Sequence, residues 1–188
     1  MKTLILNGSP KENGDTAVLI QEFSKYLKGD IRIISSYFES ISPCVDCRYC
    51  WSHSGCAVQD EMQNSYDYLE NCDNIIIASP VWFSGLSGPL LNLASRIQTY
   101  FAARFFRKEA STIKQKCGVL LLVGAEPGTE KRAISTANTI FKHLNDSPCV
   151  ASVFSMNTNE VPAALDLAAL TAVRNAALLL NRLYSGKA

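Results

Sequence analysis

Four thiols crowd one short stretch of the chain. Cys44, Cys47, Cys50 and Cys56 fall within thirteen residues at x2, x2 and x5 spacing. A [4Fe–4S] cluster takes four thiolates, and two successive x2 gaps suit three corners of a cubane, with the fourth ligand drawn from the same loop. Structural zinc usually draws on two separated pairs from different turns. A third reading has no metal, the thiols packing as small apolar side chains. Spacing leaves all three open. Cys72, Cys117 and Cys149 lie among apolar neighbours, where a buried, inert thiol is expected, and the odd total of seven argues against a disulfide framework.

A second stretch carries different chemistry. Leu4, Ile5 and Leu6 read as a buried strand, broken at once by Asn7, Gly8, Ser9 and Pro10. After Gly14, apolar residues recur at Leu19, Ile20, Phe23, Tyr26 and Leu27, the spacing of a helix with one buried face. A strand, a turn of small and hydroxyl residues and a helix start form an anion site, to which Ser9, Lys11 and Thr16 add donors. It is neither a Walker loop, because Asp15 and Thr16 follow Gly14, nor a dinucleotide fingerprint, because only Gly8 and Gly14 are present. The plainer alternative is a helix capped by Asp15 or Thr16 that binds nothing. A carboxylate at Asp15 would repel a phosphate unless it turned away.

These stretches need a scaffold. Strand-like runs at 3–6, 31–34, 74–78, 117–123 and 150–154 alternate with helical patterns near 16–27, 60–69, 89–105, 130–144 and 162–184. The alternation predicts an α/β fold, a three-layer doubly wound five-stranded parallel sheet of flavodoxin-like order 2-1-3-4-5. Residues 1–188 read as one domain, with a cysteine-rich insertion loop at about 41–58. Ligands of such sheets lie beyond the carboxyl ends of the strands, at the switch between strands one and three. The loops there are 7–15 and 79–88, with 124–129 next door. In the second of them Val81, Trp82 and Phe83 stand among Gly, Ser and Pro, a wall suited to a flat heteroaromatic ring. Its alternative is ordinary core packing.

Net charge is +1 and neither sign clusters, which argues against a nucleic-acid surface. No run approaches a membrane span, and the strand pattern starts at once, leaving no room for a signal peptide, so a cytoplasmic location is expected. His53 and His143 read as surface residues, and no general acid or base stands out. The aromatics Tyr100, Phe101, Phe105 and Phe106 on the 90–106 helix suggest an interface or ordinary core, and Arg96, Arg104 and Arg107 could rim a dimer or meet nucleotide phosphates.

Together, GSPKENGDT, SPVWFSGLSGPL and the cysteine segment ending CAVQDEM resemble the NAD(P)H-dependent FMN reductases of the flavodoxin-like superfamily, near the iron–sulfur flavoprotein branch. The likeness runs from Met1 to about Phe141. It implies that Ser9, Lys11, Asn13, Gly14 and Thr16 hold the FMN phosphate and that Pro80, Val81, Trp82, Phe83, Ser84 and Gly85 wrap the isoalloxazine. Gly124, Glu126 and Pro127 are implied to lie near the ring. It also implies an oxidoreductase that passes electrons from NADH or NADPH to a quinone, flavin or other small acceptor, as a homodimer or tetramer. The alternative it implies is an electron carrier with FMN and a [4Fe–4S] cluster on Cys44, Cys47, Cys50 and Cys56, exchanging electrons with ferredoxin-like partners. Some relatives carry a similar cysteine segment as flavin-only enzymes. A binding module that has lost flavin is the third possibility.

Overall fold

The computed structural model describes residues 1–186. In chain order the elements are β1 (Lys2–Asn7), α1 (Asp15–Tyr26), β2 (Asp30–Ser35), α2 (Tyr49–Ser52), α3 (Tyr66–Asn71), β3 (Asn74–Pro80), α4 (Gly88–Ser95), α5 (Gln98–Phe105), β4 (Cys117–Val123), α6 (Lys131–His143), β5 (Cys149–Ser155) and α7 (Leu167–Ser185). Short 3-10 turns, Glu61–Ser65 and Ala163–Leu165, precede α3 and α7.

The five strands are parallel in the order β2-β1-β3-β4-β5, as the alternation predicts. Period-two alternation divides the core into two halves. Leu4, Leu6, Ile75, Ile77, Leu120 and Leu122 face the layer that contains Leu69, Leu90, Leu93 and Phe141. Ile5, Ile76, Val119 and Leu121 face Leu19, Ile20 and Phe23 of α1 and Val173, Ala177 and Leu180 of α7. β3 and β4 are buried on both sides, which is why they read as nearly continuous apolar runs. Among the described residues no helix is long and apolar enough to cross a membrane.

Three predicted helices differ in detail. The 60–69 pattern is a 3-10 turn followed by α3, and the 162–184 pattern is a 3-10 turn followed by α7. The single helix expected over 89–105 is two, α4 and α5. No Gly or Pro breaks it; instead Arg96 N–H bonds to Leu93 O and Ile97 N–H to Ala94 O, tightening one turn where the Arg96 side chain swings inward.

Candidate functional site

The carboxyl ends of β1, β3, β4 and β5 meet along one edge, with Asn7 beside Ala78, Pro80 beside Val123 and Val123 beside Ser155. A cavity of about 340 Å³ opens there. The first loop supplies Ser9, Lys11, Gly14 and Thr16, the second Pro80, Val81 and Trp82, and the third Gly124. Residues that sequence patterning singled out in three separate loops therefore share one wall.

The first loop is held by its own polar groups. Gly8 N–H bonds to Ala78 O at 2.8 Å, Ser9 N–H to Asn7 Oδ1 at 3.0 Å and Lys11 N–H to Ser9 Oγ at 3.2 Å. Gly8 is required by close approach, since a Cβ there would stand 2.8 Å from Ser87 Oγ and 2.9 Å from Leu90 Cδ2. α1 then starts at Gly14 with no side-chain cap. The amides of Asp15, Thr16 and Ala17 find no acceptor among the described residues. Unpaired donors at the positive end of a helix dipole suit a phosphate. Asp15, which would oppose one, has turned away: its Oδ1 accepts from Ala163 N–H at 2.7 Å.

Trp82 and Gly124 line the same cavity. Gly124 is a cradle, because a Cβ there would meet Met156 Cε at 2.6 Å and Val81 Cβ at 3.5 Å. Trp82 is 45 % exposed and meets the Tyr37 ring edge-on, with centroids 6.4 Å apart.

Six residues implied by the resemblance do not line this cavity: Asn13, Phe83, Ser84, Gly85, Glu126 and Pro127. Trp82 and Gly85 exchange two backbone hydrogen bonds of 3.1 and 2.9 Å, closing a two-residue turn that carries Phe83 into solvent. Phe83 and Ser84 have φ of 51° and 62°, the left-handed region, at a cost of about 1–2 kcal/mol each for non-glycine residues. Asn13, Glu126 and Pro127 are exposed on the outer flanks of their loops. Conversely, Ala125, Thr158 and Asn159 do line the cavity. Thr158 N–H and Oγ1 both donate to Gly124 O, at 3.0 and 3.1 Å, tying the loop after β5 to the loop after β4. Strand order alone puts those two loops side by side, so topology was the signal for Thr158 and Asn159.

The four clustered thiols line a different cavity, of about 390 Å³, against α4 and α5. Their loop is strapped down from a distance. Cys44 N–H donates to Ser95 Oγ at 2.8 Å, and Thr99 Oγ1 donates to Gly55 O at 2.8 Å. Arg107 donates to Cys50 O and His53 O while paired with Glu109. Arg96 is fully buried, pairs with Asp60 at 2.6 Å and donates to Ser42 O and Val58 O, each at 3.0 Å. Burial alone would push Asp60 up; the Arg96 guanidinium, with the Ser42 and Met62 amides, holds its carboxyl below the usual range. Two arginines expected to rim a dimer or meet nucleotide phosphates thus face inward, because backbone carbonyls of the cysteine loop need donors. Arg104 remains exposed, 3.8 Å from Asp146.

Asp46 and Arg48 lie at φ 48° and 60°, so the loop doubles back between successive thiols. A left-handed residue followed by the helical Tyr49 turns backbone N–H groups toward one concavity, a shape found at phosphate and iron–sulfur sites. Burial pushes the Cys50 thiol up, and the Cys44, Cys56 and Cys47 sulfurs push the same way. Among the described residues no three His, Cys, Asp or Glu side chains stand close enough to grip a single ion. Of the other cysteines, Cys72 is buried as expected, whereas Cys117 and Cys149 are half-buried. Phe106, which caps the end of α5, stacks on Trp51 of the cysteine loop with centroids 3.9 Å apart.

The model of the NADPH-dependent FMN reductase family matches residues 1–160. The chain belongs to that family. It is accordingly a member of a group of FMN-binding, NAD(P)H-linked oxidoreductases on a flavodoxin-like fold. Two iron–sulfur flavoproteins of Methanocaldococcus jannaschii are similar to it in sequence. One is 29 % identical over 99 residues, about half the length of each chain (51 % of both), and the other 28 % identical over 146 residues, 75 % of this chain and 71 % of that one. An NAD(P)H:quinone oxidoreductase from Methanothermobacter marburgensis shares the fold, with a TM-score of 0.69 at 16 % identity, covering 94 % of this chain and 95 % of the other.

Proposed function

We propose that the cavity at the carboxyl edge of the sheet holds FMN and that the protein passes electrons from NADH or NADPH to a quinone, a flavin or another small acceptor. The observation that carries this reading is the convergence of the uncapped start of α1, the Trp82 loop and the Gly124 cradle on one cavity. The amides of Asp15, Thr16 and Ala17, with the Ser9 and Thr16 hydroxyls and Lys11, hold the phosphate. Val81 and Trp82 give the ring its apolar contact, and Gly124 leaves room for its edge. When bound, FMN supplies hydride acceptance and release of electrons singly or in pairs. The chain's share is to orient the ring, to present N–H donors where negative charge gathers, and to leave one face open to nicotinamide. The exposed Trp82 and Phe83 would be covered by a second copy of the chain, consistent with a dimer or tetramer. Seven free thiols fit a reducing cytoplasm.

The test is direct. The protein as isolated, or after incubation with FMN, should be yellow and should oxidise NADH or NADPH in the presence of a quinone, with Thr16→Val binding FMN at least tenfold more weakly. Colourless protein that takes up no FMN overturns the reading.

A second reading extends the first: Cys44, Cys47, Cys50 and Cys56 hold a [4Fe–4S] cluster. One observation favours it, four thiols around a single cavity in a loop whose carbonyls are already occupied by Arg96 and Arg107. Zinc would need its sulfurs about 3.8 Å apart, from bonds of about 2.3 Å in a tetrahedron. A cubane spreads them over four irons. Relatives named iron–sulfur flavoproteins support the same reading. Anaerobically prepared protein should contain iron and acid-labile sulfide and show broad absorption bleached by dithionite.

A further inference from the structure

We propose that Arg96, backed by Tyr66, sets the reduction potential of a cluster on the four thiols by donating hydrogen bonds to the Cys56 sulfur. The inference rests on the second reading above and adds a role that strapping the loop does not require.

Arg96 is the largest fully buried side chain among the described residues, its guanidinium wholly out of solvent. Nη1 serves Ser42 O and Asp60, and Nη2 serves Val58 O. Its Nε–H is sealed from water and has no partner. A buried, unpaired donor on a cation is costly, and native structures keep few of them without a use. Arg107, the other strap, shows the contrast: its Nε is bonded to Glu109 at 2.8 Å. Arg96 and Cys56 line the thiol cavity together, and Tyr66 stands beside Arg96. The Tyr66 hydroxyl makes only a long contact, 3.4 Å, to Arg96 O.

Adding one electron to a thiolate-bound cluster makes it more negative without making or breaking a bond to the protein. A buried cation and N–H or O–H donors at a ligand sulfur stabilise the reduced form more than the oxidised one, and so raise the potential. Asp60 offsets much of the cation's long-range field, which leaves short-range donation to Cys56 as the main lever.

The experiment is a redox titration of anaerobically purified wild type, Tyr66→Phe and Arg96→Lys, with iron and sulfide measured on each. Tyr66→Phe removes one donor and keeps the ring; Arg96→Lys keeps the charge and removes Nε–H. Both should retain iron and titrate at more negative potential. With the poise fixed at the wild-type midpoint, the reduced-to-oxidised ratio in Arg96→Lys should fall about tenfold, which is about 59 mV for a one-electron couple. An unchanged midpoint with full iron overturns the inference. Iron loss in both variants, with any residual cluster at the wild-type midpoint, assigns these groups to strapping alone and overturns it too. Wild-type protein lacking iron and sulfide refutes the underlying cluster reading instead, a result visible before any variant is titrated.

Discussion

Asp15 offers a test in which stability and binding should move in opposite directions. Its carboxylate accepts the Ala163 amide at 2.7 Å, and Ala163 is fully buried at the turn that leads into α7. Asp15→Ala leaves that N–H without a partner, at a cost of about 1–3 kcal/mol. For a chain of this size each kcal/mol lowers Tm by about 2–4 °C, so a loss near the middle of that range lowers it by about 4–8 °C. Asp15→Asn keeps an oxygen acceptor and should lose less than half as much. Although that carboxylate is turned toward Ala163, Asp15 still lines the cavity of the proposed phosphate site, so its charge stays close to it. A pair of like unit charges near contact repels by about 1 kcal/mol in water. Both variants should therefore bind FMN about fivefold more tightly. That gain should shrink in molar salt, where the screening length falls to about 3 Å. Thermal unfolding of the flavin-free protein and fluorescence titration with FMN at low and high salt measure the two effects. Unchanged Tm in Asp15→Ala would show that the Ala163 contact is not part of the fold's stability. Weaker FMN binding in both variants, at either salt concentration, would place the phosphate elsewhere.

Other perturbations follow from single contacts. Ser84→Gly should relieve a left-handed residue and raise Tm by about 2–4 °C if about 1 kcal/mol is recovered; a fall would mean that the turn is held by its side chains. Gly8→Ala places a methyl 2.8 Å from Ser87 Oγ and should destabilise by about 1–3 kcal/mol, read by denaturant unfolding, and a neutral result would mean that α4 can retreat. Acid should unfold the protein through Asp60 and Asp73. Burial pushes each carboxyl up, but Arg96 and Lys114 respectively hold both below 3.8. A depressed folded-state value adds stability that is complete above the unfolded value and lost as pH falls through the folded one, so Tm should be level from pH 7 to 5 and drop below about pH 4. Asp73→Asn should flatten that drop, and an unaltered profile would assign it to other groups.

What the sequence makes legible is whatever is repeated or local. Leu4-Ile5-Leu6 alternates between the two core layers, and the five strands and their order follow from alternation and the switch rule. The first loop is legible because its anchors, Asn7 and Ser9, bond within a few residues. The turn at Phe83-Ser84 is not: two-residue hairpins of this hand favour Asn-Gly, and nothing in the composition signals a bulky pair at positive φ. Nor is the turning of Asp15 to Ala163, a contact 148 residues away. Arg96 misled for a similar reason. Its neighbours on α4 and α5 read as one helix with Arg96 at the rim of an interface or near a nucleotide, whereas its partners, Ser42, Val58 and Asp60, lie 36 to 54 residues before it.

That long-range bonding bears on how the two cavities relate. Ser87, at the end of the loop that walls the proposed FMN cavity, caps the start of α4, and Ser95 and Arg96, at the other end, line the thiol cavity. Eight residues at about 1.5 Å rise make α4 about 12 Å long, so one short rigid element joins the loop that walls the first cavity to residues that line the second. Ser87 N–H bonds to the buried Ser79 Oγ at 3.1 Å and fixes the start of the helix; the Arg96–Asp60 pair fixes its end. A helix held at both ends keeps these two loops at a fixed separation. Loosening either end should therefore be felt at the other. Asp60→Asn, which unpairs Arg96, should weaken FMN binding although it touches no part of that cavity, whereas the same substitution would leave FMN affinity untouched if the sites were mechanically independent.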